Sequence, residues 1–388
     1  MKVIIHIGTE KTGTTSLQNF MYDNRNTFSE HGYHICTVGG LGNNRGLAGY
    51  SVSSCHLDEY HSHIGVLSTE DKVQHDKKIE TDFYNEVTNL SSNIHTVILS
   101  SEHFHSRCVD VSEVNKLKLL LNKYFDDFEV VVYLRPQVEV MISLYTTILR
   151  SGGCVTFKDF FDNTSNAPGD YYNYASLLDR WAKVFGKESV IAKVFSRGEL
   201  INGDLVSDFI HGIGIGEVEF IKNVENKNES LTPFGQEFLR LMNLNYTKKE
   251  NDYHYTVELI DSAFVGKGQH PNKEQCANFQ SLFNSVNDEV ARNWFGRTSL
   301  FSVDFDKYGD GEMLSSSLMS FIDFLFKKFD KIEDSEVELI RDAAILVEPH
   351  NILHAKGLME IAKKYRPNGE YINAKLNNYN RILGRGEM

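Results

Sequence analysis

The sequence predicts an α/β fold, with a parallel sheet flanked by helices and a helical part at the C-terminal end. Three observations predict it. Short apolar runs recur through the first half, with amphipathic stripes between them. A Gly/Thr loop joins the first run directly to the first stripe. After about Leu231 the strand-like runs stop and helical patterns take over. Strands are expected over Lys2–Ile7, His95–Ser100, Glu129–Leu134 and Ser189–Phe195. The second and third are nearly continuous apolar runs, as parallel strands covered on both faces should be. Helices are expected over Thr14–Phe28, Glu113–Phe125 and Val138–Arg150, each with apolar residues spaced three and four apart. Residues 39–77 are polar and rich in Gly, Ser and His, and read as an insertion or lid near the site. Further helices are expected over Gly235–Leu244, Tyr255–Phe264, Gln280–Trp294, Leu314–Phe329 and Ser335–Val347. The domain division this implies is a core over 1–222 and a helical subdomain over 223–388 packed on it.

A chain of 388 residues can bury a large core. Its net charge of −13 argues against a general nucleic-acid binder. No apolar run approaches the ~20 residues that cross a bilayer, and the N-terminus lacks the apolar stretch of a signal peptide. Cys36, Cys55, Cys108, Cys154 and Cys276 are scattered and odd in number, without a C-x-x-C pair. A reducing cytoplasm is therefore expected.

The segment Ile5-His6-Ile7-Gly8-Thr9-Glu10-Lys11-Thr12-Gly13-Thr14-Thr15-Ser16-Leu17 runs from strand through loop into helix. Free backbone N–H groups at such a helix start favour an anion. A nucleoside-triphosphate loop has its lysine directly after the second glycine. Here Thr14 follows Gly13, and Lys11 sits inside the loop. This variant resembles the 5′-phosphosulfate loop of sulfotransferases that use 3′-phosphoadenosine 5′-phosphosulfate (PAPS). The resemblance implies a P-loop-like core. It places Thr9, Lys11, Thr12, Gly13, Thr14, Thr15 and Ser16 around the phosphosulfate, with Lys11 beside the bridging oxygen where charge develops.

Two later segments extend the resemblance. In Val131–Tyr145 a strand ends at Arg135, Pro136 opens the connection, and Ser143 follows eight residues on. PAPS enzymes place an arginine and a serine at this spacing to grip the 3′-phosphate, the arginine through a charge-assisted fork. In Val97–His105, Glu102 and His103 stand at a strand end. Transfer to a hydroxyl needs a base for its proton. Glycan sulfotransferases often have a glutamate at such a place and cytosolic small-molecule enzymes a histidine. Glu102 is the first choice for the base, His103 the second and His105 the third. Further on, Asn228 and Ser230 match an N-x-S-[LM] element of related bacterial enzymes that could touch nucleotide or acceptor; a plain helix N-cap is the alternative reading.

Other features are weaker. His56, His61 and His63 lack a firm metal frame, and no metal is expected. Asp304–Glu312 looks like a calcium loop but places serine where glutamate is needed. The segment Phe283–Phe295 is similar to a C-terminal segment of bacterial carbohydrate-type sulfotransferases and reads as structural. The resemblance covers Ile5–Tyr145 well and thins beyond Phe195. It implies a bacterial, cytoplasmic enzyme that transfers a sulfuryl group from PAPS to a glycan or glycolipid hydroxyl, leaving adenosine 3′,5′-bisphosphate. Three alternatives stay open: a small-molecule alcohol or phenol as acceptor, a P-loop kinase, and an inactive glycan-binding module. Thr14 and the Ser100–Glu102 segment speak against the kinase. The set Lys11, Arg135, Ser143 and Glu102 speaks against the inactive module.

Overall fold

The computed structural model describes residues 1–216, 218, 220, 230–245, 257, 260–261, 263–314, 337–349 and 351–384. Its centre is one sheet of five parallel strands: β1 (Lys2–His6), β2 (Tyr33–Ile35), β3 (Thr96–Ser100), β4 (Asp127–Leu134) and β5 (Val190–Val194). Their order is β2-β3-β1-β4-β5. The α/β reading therefore holds. The four expected strands form, with ends shifted by no more than two residues. β2 was not expected. It has only three residues, with a half-buried His34 between buried Tyr33 and Ile35, which is too short for a pattern to register.

The apolar runs alternate between two cores. Val3, Ile5, Ile7, Val97, Leu99, Val130, Val132 and Leu134 pack on one face with Leu117, Leu120, Leu121 and Trp181. Ile4, Ile98, Val131 and Tyr133 pack on the other with Leu17, Phe20, Met21 and Phe209. Period-two side chains on a strand covered from both sides produce this division. Burying each large side chain is worth about 1.5–3 kcal/mol, so the interleaved runs fix the register strongly.

The expected helix over 14–28 is two helices, Thr14–Asp23 and Arg25–Glu30. Asn24 lies between them, and its side-chain amide and its backbone N–H both donate to the Phe20 carbonyl. Asparagine competes in this way with the helical ladder. The helix expected over 113–125 spans Val111–Leu121, and that over 138–150 spans Gln137–Arg150. The polar segment 39–77 holds helices Arg45–Ser51 and Glu59–His63 and the start of Thr69–Thr88. Asp58 and Ser68 start the last two as capping boxes. Leu47, Ala48 and Tyr50 belong to the sheet core.

Contacts divide the chain into two units. The first comprises 1–140, 168–227 and 279–303 and holds the sheet; the second comprises 141–167, 228–278 and 304–388. The helix Asn284–Phe295 belongs to the first, where Val290 and Ala291 join the core. The second unit has helices Pro233–Asn245 and Lys273–Ser281. It also has a cluster in which Ile340, Ala344, Leu358, Met359, Leu376 and Tyr379 join Val337–Val347, Ile352–Tyr365 and Glu370–Leu383. The helix expected over 314–329 lies outside the described residues apart from Leu314, as does half of that over 255–264. Among the described residues, no helix is long and apolar enough to cross a membrane.

Candidate active site

β1, β3 and β4 lie side by side, and their C-terminal ends meet. His6 aligns with Ser100 on one side and Val131 on the other. Ligands of such sheets bind outside these ends. The loop after β1 is stitched to β4. The Thr9 backbone N–H and its hydroxyl both donate to the Tyr133 carbonyl, each at 3.0 Å, and the Tyr133 N–H donates to the Gly8 carbonyl at 2.7 Å. The Thr12 hydroxyl closes the turn onto the Thr9 carbonyl at 2.6 Å. Three loop residues have positive φ: Gly8 at 100°, Lys11 at 67° and Gly13 at 76°. Glycine adopts this region freely. Lysine does so at a cost of about 1–2 kcal/mol, and such outliers concentrate at functional sites.

Gly13 then caps helix Thr14–Asp23 without a side chain, and no acidic residue stands in the first turn. The N–H groups of Thr14, Thr15 and Ser16 thus begin a helix, where partial positive charge gathers. Arg135, one residue past β4, donates through Nη1 to the Lys11 carbonyl at 2.7 Å and through Nε to Glu139 at 3.0 Å. Its guanidinium lies 5.7 Å from the centre of the Phe195 ring. Nη2 carries no hydrogen bond among the described residues, which leaves a charged donor beside the loop.

Glu102 follows β3. A Cβ on Gly8 would come within 3.2 Å of the Glu102 Cα, so the loop backbone passes directly against this residue. Glu102 Oε2 accepts from Gln18 Nε2 at 2.8 Å and from Asn43 Nδ2 at 3.0 Å. Gln18 also reaches the Ser100 hydroxyl at 3.3 Å, and that hydroxyl lies 2.8 Å from His6 Nδ1. Complete burial holds the His6 pKa down at about 4, so its ring is neutral.

The two other candidate bases differ. His103 Nδ1 is buried without a hydrogen-bond partner. Burial lowers its pKa, opposed by the charge of Glu102. His105 Nε2 donates to the Tyr171 carbonyl at 3.0 Å, and its ring packs on Tyr171. That bond gives His105 a clear structural task.

Thr9, Lys11, Thr12, Gly13, Thr14, Thr15, Ser16, Glu102, His103 and Arg135 all fall in the sheet unit. Ser143 lies half-buried on the helix Gln137–Arg150, in the second unit. Ser230 is also there, its hydroxyl 2.9 Å from that of Thr146. Asn228 lies outside the described residues. His61 is bonded to Asp58 and to the Gly49 carbonyl. His56 lies near Asp110 and Glu113, but the Glu113 oxygens already accept from Ser53, Val109 and Asp110 backbone N–H groups and face His56. That carboxylate is a helix cap.

Sequence reasoning missed Gln18, Asn43 and Glu10. Glu10 lies inside the loop and accepts from the Tyr171 hydroxyl at 2.9 Å. Burial pushes its carboxyl up, but side-chain hydrogen bonds and the nearby His105 and His103 outweigh that, and its pKa falls below the usual value. The one available signal was a polar residue inside an apolar stripe, Gln18 between Leu17 and Phe20.

No family model matches this chain. A curated protein of Archaeoglobus fulgidus, itself called only uncharacterized, is 24% identical over 209 residues. The match covers 53% of this chain and 55% of that protein, so the chain spans about half the length of the curated relative it matches. Among solved structures, a sulfotransferase from Alicyclobacillus acidocaldarius is similar over 72% of this chain and 94% of its own, with 14% identity and a TM-score of 0.36. Likeness at that level does not fix the chemistry, which must come from the site residues.

The tight approach at Gly8 makes a prediction. Gly8→Ala forces a side chain into a φ of 100° and against Glu102. It should cost about 1–2 kcal/mol. Urea unfolding that shows no loss of stability would contradict the described loop conformation.

Proposed function

We propose that this chain is a PAPS-dependent sulfotransferase that moves a sulfuryl group to a hydroxyl of a glycan or glycolipid. One observation carries the reading. The loop lysine, Lys11, stands at a left-handed position before Gly13, and its carbonyl is tied to Arg135. A lysine inside the loop, tied to a strand-end arginine, suits a phosphosulfate with a 3′-phosphate. The donor set fits such a multiply anionic ligand: an uncapped helix start without acidic residues, a lysine, and a guanidinium with an unused nitrogen.

PAPS supplies the sulfuryl group. The residues of the chain have separate tasks. The N–H groups of Thr14, Thr15 and Ser16 hold the 5′-phosphate, with the Thr9 and Thr12 hydroxyls keeping the loop in shape. Lys11 offsets charge as the bridging S–O bond breaks. Arg135 holds the 3′-phosphate through Nη2. Glu102 takes the proton of the acceptor hydroxyl as the new O–S bond forms. His103 is the second choice; its Nδ1, like that of His105, is buried without a hydrogen-bond partner, and it would suit a phenol or other small alcohol. The proposed setting is a bacterial cytoplasm.

Calorimetry tests the donor. Adenosine 3′,5′-bisphosphate should bind far more tightly than ATP with magnesium or adenosine 5′-phosphosulfate. Losing a hydrogen bond to a charged group costs about 1.5–3 kcal/mol, so Arg135→Ala should weaken that binding roughly ten- to a hundredfold. Equal affinity with and without the 3′-phosphate would refute the assignment.

Lys11→Ala should lower turnover more than it weakens PAPS binding, because its charge counts most in the transition state. Weaker binding with unchanged kcat would make Lys11 a binding residue only.

Transfer of labelled sulfate from PAPS to a panel of neutral oligosaccharides tests the base. Glu102→Gln should cost about 10²–10⁴-fold in rate while adenosine 3′,5′-bisphosphate still binds. A variant that keeps its rate, beside a His103→Ala variant that loses it, would move the role to the histidine.

A further inference from the structure

Glu102 is held from two sides by segments far apart in the chain. Gln18 comes from helix Thr14–Asp23 and Asn43 from the glycine-rich loop after β2. Both side-chain amides donate to the same oxygen, Oε2, at 2.8 and 3.0 Å. Oε1 takes no hydrogen bond among the described residues. A carboxylate only accepts, so each amide must present its nitrogen. Asn43 Oδ1 is consequently left buried without a donor. That is an expensive arrangement.

The surroundings make both donors stiff. Gln18 is buried, between apolar neighbours, and such an amide is costly unless bonded. Asn44, beside Asn43, locks the loop to the end of β3. Its Oδ1 accepts from the Ser100 N–H, its own N–H donates to the Ser100 carbonyl, and its Nδ2 donates to Cys36 and Val38 carbonyls. Gly42 has a φ of 77°, and a Cβ there would stand 3.4 Å from Tyr22 Cβ. The loop can thus lie on the helix and deliver Asn43 next to Gln18.

We propose that Gln18 and Asn43 are positioning residues that clamp Oε2 of Glu102 and leave Oε1 as the oxygen that meets the acceptor proton. The proposal rests on Glu102 being the base. The clamp keeps the carboxylate in one rotamer, so its orientation is set before the acceptor arrives. Fixing a reacting group in this way is a large part of catalysis, and a displacement of about 1 Å can cost roughly a hundredfold.

The test uses Gln18→Met and Asn43→Leu, which keep side-chain bulk and remove the donors. Rates are read as adenosine 3′,5′-bisphosphate formed from PAPS with the best oligosaccharide of the panel. Each variant should lower kcat roughly ten- to a hundredfold, with KM for PAPS unchanged. In a Glu102→Gln background neither should lower the residual rate further, because residues acting through one group are not additive. A crystal structure of the double variant should show the Glu102 carboxylate displaced or in several rotamers. Equal losses in both backgrounds, or a carboxylate that stays in place, would overturn the clamp. Undiminished activity of Glu102→Gln alone would instead overturn the base assignment, and the crystal structure would still decide whether the clamp exists.

Discussion

The hydrogen bonds between Thr9, Gly8 and the backbone of Tyr133 are the constraint on which the site depends. They attach the loop after β1 to β4, two residues before Arg135. Without them the positive φ values of Gly8, Lys11 and Gly13 would be unsupported. With them, the Lys11 carbonyl is brought to Arg135 and the loop backbone to Glu102. Three strand ends are thereby joined into one surface. Tyr133 itself is fully buried, and its hydroxyl donates to the buried carboxylate of Asp208 at 2.8 Å. Burial and that neighbouring charge push its own pKa far up, so the donor stays protonated. The strand that carries the loop is thus anchored from its other face.

Part of this was legible in the sequence. The loop, Arg135 and Glu102 sit at the ends of apolar runs, and a run ending in polar residues marks a parallel strand and its C-terminal end. What stayed hidden depends on remote packing. Gln18 meets Glu102 across 84 positions and Asn43 meets it across 59. Neither pairing leaves a periodic trace. Asn24 stands between two helices under a stripe that looks continuous, its side-chain amide sharing the Phe20 carbonyl with its own backbone N–H. The split of the chain into two units with interleaved segments is equally invisible, since it is defined by contacts and not by composition.

The segment 39–77 is polar and rich in Gly, Ser and His, and its composition reads as an insertion or lid near the site. Yet Gly46 is there because a Cβ would stand 2.6 Å from the Gly39 Cα, and Gly49 because one would stand 2.7 Å from the Tyr60 ring. These glycines permit close packing. The polar residues are partnered too: Arg45 and Arg107 reach Asp58, whose pKa is held well down; burial opposes this but is outweighed by bonds from His61 and Arg45. Arg107 ends the short helix that begins at His103. The segment and the residues after Glu102 are therefore one ionic assembly.

On the proposed reading an acidic protein binds a multiply charged anion, and the loop contains that conflict in small. Two carboxylates, Glu10 and Glu102, lie at or against it. At an effective dielectric near 20, a carboxylate about 5 Å from an anionic oxygen costs roughly 3 kcal/mol. The observed partners do not cancel those charges. Tyr171, Gln18 and Asn43 are neutral donors that hold each carboxylate where it is. On the proposed reading the compensating positive charge comes from Lys11, the helix start and Arg135, whose own charge is shared with Glu139. A structural carboxylate would be simpler to replace with an amide in such a place. Holding Glu102 in place makes physical sense for a group that must accept a proton beside a departing anion.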